Sequence, residues 1–457
     1  MRVPCRLAVP LVASLGLVLA VLAPSPLLAD DPSLEQLRQE VAALREELAR
    51  LKAGEALDPR AAELERRIDL LAAEIETLRT GGASEEPALV GEKGLAPAAS
   101  KVDRKPRGVS IGGYGEALYS SYEAEREDGA PSGVVDQVDF VRQVVYVGYK
   151  FTDSILVNSE IEFEHGSTGR GGEVSVEFAY LELQKRKELG LRAGMVLVPM
   201  GFLNELHEPP IYRGTRRPEV ETAIIPSTWR ENGVGLFGEV GPLQWRTYVV
   251  ASLSSAGFTS AGLRGGRQSG ARSRAEDVAF TGRLDFTGVP GLLVGGSFFS
   301  GETGQGAEVG GQDVAARVSL FDMHAQYEFR GMQLRALWAR STLADADLVD
   351  QQNKLTGAQS VGTAQEGWYA EASFDVMTLV PRGRWAVLPF VRYESLDTQA
   401  GVPDGYAEDP ARERTLLTAG IELKPIPQVV FKADYQRIRN EARTGTSQWN
   451  LAIGYLF

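Results

Sequence analysis

The sequence predicts an all-β fold: a transmembrane antiparallel β-barrel of about 16 strands, preceded by an N-terminal α-helical coiled coil. Three observations carry this expectation. The chain opens with an export signal and has no later apolar run long enough for a membrane helix. From residue 110 onward, apolar and polar residues alternate with period two. The connections between these segments alternate between short and long, the rhythm of a barrel with short periplasmic turns and long outer loops.

The signal occupies residues 1–29. Arg2 and Arg6 precede an apolar run from Leu7 to Leu22, and Leu27-Leu28-Ala29 ends in a small residue suited to cleavage. Cys5, the only cysteine, lies ahead of that run and leaves with it. The exported chain therefore has neither disulfides nor thiolate ligands. Its formal charge is −13 at pH 7, and loss of Arg2 and Arg6 makes it more acidic, which argues against nucleic acid as a partner.

Residues 30–79 read as a periplasmic coiled coil. Leu34, Leu37, Val41, Leu44, Leu48 and Leu51 occupy a and d positions, with Glu40 and Glu47 at g and Arg45 and Lys52 at e. Those g-to-e pairs attract in a parallel assembly. Gly54 and Pro59 interrupt the pattern, and Leu64, Ile68, Leu71, Ile75 and Leu78 resume it one residue out of phase. An antiparallel hairpin of two helices within one chain is the alternative. Residues 80–108, rich in Gly, Ala, Pro and Ser, read as a flexible linker to a barrel at 109–457.

The strands are expected near 110–122, 138–151, 154–165, 173–184, 189–198, 229–240, 243–252, 276–287, 291–300, 314–329, 331–341, 366–377, 385–396, 414–424, 428–439 and 448–457. In the third, Ile155, Val157, Ile161 and Phe163 share one face, and Asn158, Glu160, Glu162 and Glu164 the other. Carboxylates are costly against lipid, so the polar face should line water. By the same alternation Val174, Val176, Phe178 and Tyr180 face out, and Glu173, Ser175 and Glu177 face in. Further round, the inward set is basic: Arg142 and Lys150, Arg192, Arg246, Arg283, Arg392, and Lys432 beside Asp434. An acidic wall opposite a basic one would filter polar solutes by a transverse field; otherwise these groups simply solubilise the lumen.

The connection 199–228 is long and holds apolar residues, Ile211, Tyr212, Ile224 and Ile225, that need burial. Folding into the pore is one solution. Its Glu205, Glu208, Arg213, Arg216, Arg217, Glu219 and Glu221 would then narrow and charge the channel. Packing on the rim or at a subunit interface is the other.

The strand 448–457 has Trp449, Leu451, Ile453, Tyr455 and Phe457 on one face and resembles the closing strand of bacterial outer-membrane barrels. Together with Gly112-Gly113-Tyr114-Gly115-Glu116 and the segment 191–201, it makes residues 108–457 similar to bacterial outer-membrane porins, nearest to the phosphate-selective porin O/P family. That resemblance implies a homotrimer in the outer membrane, in contact with its lipid. It also implies passive diffusion of small hydrophilic solutes or ions, and recognition of Phe457 by the barrel-assembly machinery. This chain departs from the family in its sparse barrel lysines and acidic third and fourth strands, so phosphate selectivity and the family's binding residues are not carried over. An envelope tether, its coiled coil on peptidoglycan or a periplasmic partner, is the competing reading. The three histidines, His165, His207 and His324, sit in no Ser/His/Asp pattern, so no enzyme, catalytic residue, metal or cofactor is expected.

Overall fold

Sixteen strands hydrogen-bond in a closed antiparallel ring, which leaves no open edge in that sheet. The computed structural model describes residues 91–166, 169, 171–380 and 385–457, together with the isolated Ala43. The expected signal peptide at 1–29 and, apart from Ala43, the expected coiled coil at 30–79 lie outside that set. The barrel belongs to one unit, Leu89–Phe457.

The strands are β1 (Gly108–Tyr122), β2 (Gln137–Thr152), β3 (Ile155–Glu164), β4 (Val174–Arg186), β5 (Leu189–Leu197), β6 (Arg230–Val240), β7 (Leu243–Ala251), β8 (Val278–Val289) and β9 (Leu292–Gly301). A two-stranded hairpin, β10 (Glu308–Val309) and β11 (Gln312–Asp313), stands outside the ring. The wall resumes with β12 (Val318–Phe329), β13 (Met332–Leu343), β14 (Ala364–Phe374), β15 (Ala386–Gly401), β16 (Glu413–Ile426), β17 (Val429–Asn440) and β18 (Gln448–Leu456). Short helices α1 (Val220–Ala223) and α2 (Ala346–Asn353) lie in the long connections. Every expected strand is present, and short turns such as Arg330-Gly331 alternate with long loops as expected.

Period-two patterning sorts the wall. Outward positions carry Val147, Val234, Leu236, Leu334, Val391 and Ile453, all exposed to the surroundings. Aromatics gather at both margins of this apolar belt: Phe151, Phe286, Phe329 and Phe457 beside the short turns, Phe140, Phe280, Phe321 and Trp449 towards the long loops. Such paired girdles mark the two water interfaces of a membrane barrel.

One face assignment is corrected by the structure. In the β3–β4 ladder Glu160 opposes Phe178 and Ile161 opposes Val176, so Glu177 is an extra residue in β4. The bulge inverts the alternation beyond it. Phe178 and Tyr180 therefore point inward and are buried, while Leu181 and Leu183 take the outer face.

The ring closes where β1 meets β18, in register from Tyr114 opposite Leu456 to Tyr122 opposite Gln448. Gly113 and Phe457 exchange both backbone hydrogen bonds at 2.9 and 2.8 Å. The Phe457 ring lies over Gly113, where a Cβ would sit 2.4 Å from the Val144 carbonyl oxygen and 2.6 Å from the ring. An aromatic laid over a strand glycine restores the apolar cover that the glycine lacks.

Residues 91–107, which composition assigns to a flexible linker, form turns whose Leu95, Ala96, Ala98, Ala99, Ser100 and Val102 are buried. The many small residues, read as flexibility, here allow close packing.

Gly113→Val should destabilise the barrel by about 1–3 kcal/mol through overpacking at the closure. Urea unfolding of the protein in lipid should show a lowered midpoint; an unchanged midpoint would mean that the closure tolerates a side chain.

Candidate functional site

The barrel interior concentrates charge: many buried acidic and basic side chains face it. Because inward side chains from adjacent strands lie opposite each other across the ladder, acids and bases meet there as cross-strand neighbours. Arg142 on β2 bridges Glu116 on β1 and Glu162 on β3, both at 2.8 Å. Glu182 on β4 meets Arg192 on β5 at 2.8 Å, and the Arg192 guanidinium lies over the rings of Tyr180 and Phe237. Glu177 pairs with Arg230 at 2.6 Å. Glu164, at the end of β3, is half-buried opposite Arg142 in the ladder.

On the other wall, Asp285 accepts from Arg283 at 2.7 Å and Arg246 at 3.0 Å, and its second oxygen lies 2.9 Å from His324 Nε2. His324 Nδ1 lies 2.6 Å from Asp322. Arg392, fully buried, bonds Glu394 at 2.9 Å and Glu371 at 3.2 Å. Lys432 lies 3.4 Å from Glu422. The expected division into an acidic and a basic wall is therefore not kept. Glu371, Glu394, Glu422, Asp285 and Asp322 interleave with the arginines, because a dry interior tolerates charge only as hydrogen-bonded pairs.

Residues 199–228 bond to inward side chains of many strands. The Gly201 amide donates to Asp322 at 3.0 Å. Glu205 meets Arg246 at 3.0 Å, and His207 Nε2 lies 3.1 Å from Glu160. The Tyr212 hydroxyl donates to Glu116 at 3.0 Å, and Arg213 to Glu422 at 2.8 Å. The amide of Thr215 donates to Asp434 and that of Val220 to Glu394. Lys432 donates to the carbonyls of Tyr212 and Gly214, both at 2.7 Å, and Arg392 to those of Arg213 and Arg216. Glu221 accepts from the Leu203 amide and the Tyr369 hydroxyl, each at 2.6 Å. Glu208 accepts from the amides of Ala98 and Ala99. Tyr212, Ile224 and Ile225 find the burial that their composition demands.

Towards the long loops a cavity of about 450 Å³ remains, lined by Arg142, Arg216, Arg217, Arg264 and Arg414 against Glu116 and Glu219. Arg216 donates to Ser120 at 3.0 Å, and Arg414 pairs with Glu219. Arg217 Nε and Nη2 have no protein acceptor among the described residues. Arg264, in the 252–277 connection, is pushed down to about 9, first by burial and then by the charges of Arg267 and Arg217. The cavity is thus an electropositive vestibule.

All the lumen and loop residues singled out from sequence lie at this interior or its rim. Sequence reasoning missed Glu182, Arg230, Asp285, Asp322, Glu371, Glu394 and Glu422, although each holds an inward position of its strand. It also missed the ladder of inward rings from Tyr114 through Tyr146 to Phe178 and Tyr180, with successive centroids 6.1, 6.0 and 5.4 Å apart.

The fold and its apolar belt define a membrane β-barrel with a charged interior. Among solved structures, the barrel is similar to a loop-deleted form of OmpT, an outer-membrane protein of Vibrio cholerae, with a TM-score of 0.50 and 11% identity over 77% of this chain and 100% of that one. It is also similar to an anion-selective porin from Comamonas acidovorans, with a TM-score of 0.49 and 12% identity over 76% of this chain and 99% of that one. At such identities the likeness is one of fold. No family model matches the chain. An uncharacterized protein of Aquifex aeolicus (strain VF5) is 36% identical over 377 residues, 80% of this chain and 83% of that protein, and the chain belongs to the same family.

Arg392→Ala should cost about 3–5 kcal/mol, because it strands Glu371 and Glu394 in a dry interior. Arg317→Ala, which breaks the exposed pair with Glu302, should cost at most about 1 kcal/mol. Equal losses for the two variants in denaturant titrations would show that the interior pair is solvated.

Proposed function

We propose that the chain is an outer-membrane channel that lets small hydrophilic solutes or ions diffuse passively through the barrel, with residues 199–228 narrowing the path. The observation that carries this reading is the row of ionisable side chains facing inward around a closed sixteen-stranded wall with an apolar exterior. A barrel serving only as an anchor needs no such lining, and charges held in a lumen select and pass polar solutes. The narrowing is supported by the hydrogen bonds that 199–228 makes to strand side chains on opposite walls, from Glu116 and Glu160 to Asp322 and Glu422.

A homotrimer, assembly through Phe457 and a coiled coil at 30–79 in the periplasm, contacting peptidoglycan, complete the proposal. The sequence resemblance and the heptad spacing support these. The resemblance to the phosphate-selective O/P porins does not extend to phosphate as the solute. The competing reading, an envelope tether whose barrel is only an anchor, draws support from the dense packing of the interior around Glu160, Arg392 and Glu422, each fully buried. A barrel that inserts but passes neither ions nor sugars would favour it.

Replacing Glu160, Glu162 and Glu164 together by Gln leaves Arg142 and His207 short of counter-charge. The reversal potential across a planar bilayer under a salt gradient should then move towards anion preference; an unchanged potential would remove these carboxylates from the conducting path.

A further inference from the structure

The segment 91–105, buried at 95–100 and Val102, has no part in the wall and packs against its inward side chains. Gly94 lies against the Arg246 guanidinium, and Val102 packs on Gly148, where an added Cβ would lie 2.7 Å from that of Val102. Lys93 pairs with Glu182 and, at 2.6 Å, with Asp103. Lys150 Nζ donates to the Asp103 carbonyl at 2.8 Å, and Asn158 Nδ2 to that of Ala99 at 2.8 Å. Lys150, Gly148, Glu182 and Arg246 all sit close to the short turns, so the segment occupies that end of the lumen along β2–β7.

The remaining cross-section at this end is taken by residues 201–210. Arg283 donates to the Gly201 carbonyl, Lys424 donates to that of Pro210 at 2.6 Å, and Pro209 lies against Gly454. Between the two segments little water reaches the interior: Leu95 is 2% exposed, Ala98 1% and Ser100 0%.

The way the segment is held matters more than its presence. Its backbone hydrogen bonds are internal turns, Leu95 to Glu92, Ser100 to Ala96 and Asp103 to Ser100. Side chains that tie it to the barrel include Glu182, Asn158, Lys150 and the Glu208 carboxylate of the 199–228 connection. Withdrawing it breaks no strand pairing and leaves the ring of sixteen strands whole. Withdrawing the segment also exposes Leu95 and Val102 along with the small side chains Ala96, Ala98, Ala99 and Ser100, and this lost burial favours the seated state.

We propose that residues 91–105 are a gate: seated, they shut the short-turn end of the barrel, and the channel conducts when they leave. The inference rests on the channel reading above. Glu208 joins the gate to the narrowing segment, because one carboxylate there caps the Ala98 and Ala99 amides.

The test is a reversible cross-link in the full chain, whose only natural cysteine is Cys5. In Val102→Cys with Gly148→Cys the two Cβ atoms start 2.7 Å apart, so the segment must back off by about 1 Å to reach the spacing of a disulfide, and gel mobility reports closure of the bond. A second variant, Asn158→Ala, removes one anchor and should raise the open fraction about tenfold, the worth of one buried hydrogen bond. The expected result in planar bilayers is silence for the oxidised pair, openings after reduction and more frequent openings for Asn158→Ala. An oxidised, fully cross-linked protein that conducts like the reduced one would overturn the gate and leave the channel standing. Absence of current in all three, with the barrel inserted, would overturn the channel reading and the gate with it.

Discussion

Everything in this structure depends on closing the strand ring between β1 and β18. Hydrocarbon offers backbone amides and carbonyls no partner, so a sheet crosses a bilayer only when every strand has two neighbours. The reciprocal bonds between Gly113 and Phe457 and the register that runs from them complete that ring. Once it is closed, alternation decides the rest. Each strand presents one row of side chains to the surroundings and the other to an enclosed space, and composition follows: Val, Leu and aromatics outside, carboxylates, guanidiniums and amides inside.

The enclosed space sets the second constraint. Its side chains are largely buried, and buried charges must be paired. The result is a chain of short-range neutralisations running round the wall: Glu116–Arg142–Glu162, Glu182–Arg192, Arg246–Asp285–Arg283 and Glu371–Arg392–Glu394. The 199–228 connection is held by the same chemistry, lending its backbone amides and carbonyls to groups that would otherwise lack partners. Where pairing is incomplete, around Arg217 and Arg264, a cavity stays open and positive. Charge excess and open space coincide, as expected where solvent rather than protein supplies the counter-charge.

Much of this was legible in the sequence. Period-two alternation located all sixteen wall strands, because lipid outside and polar space inside impose it on every one. The inward set from Arg142 to Lys432 followed from the same rule. What escaped had physical causes. A bulge at Glu177 adds one residue to β4 and inverts its faces; alternation counted through it places Phe178 and Tyr180 in lipid. The separation of charge into two walls failed because the partners Glu182, Asp285, Glu371, Glu394 and Glu422 were passed over, and only pairing across neighbouring strands reveals their role. Residues 91–107 look like linker because small residues serve flexibility and tight packing equally well. The coiled coil lies outside the described residues.

A charged lumen across the membrane, closed when residues 91–105 are seated, is the proposal on which the function rests. The most direct measurement is single-channel recording of the unaltered full chain in a planar bilayer at symmetric salt. A gated channel should give discrete unitary currents separated by long closed intervals. Barrels that insert yet pass no current at any holding potential would contradict it.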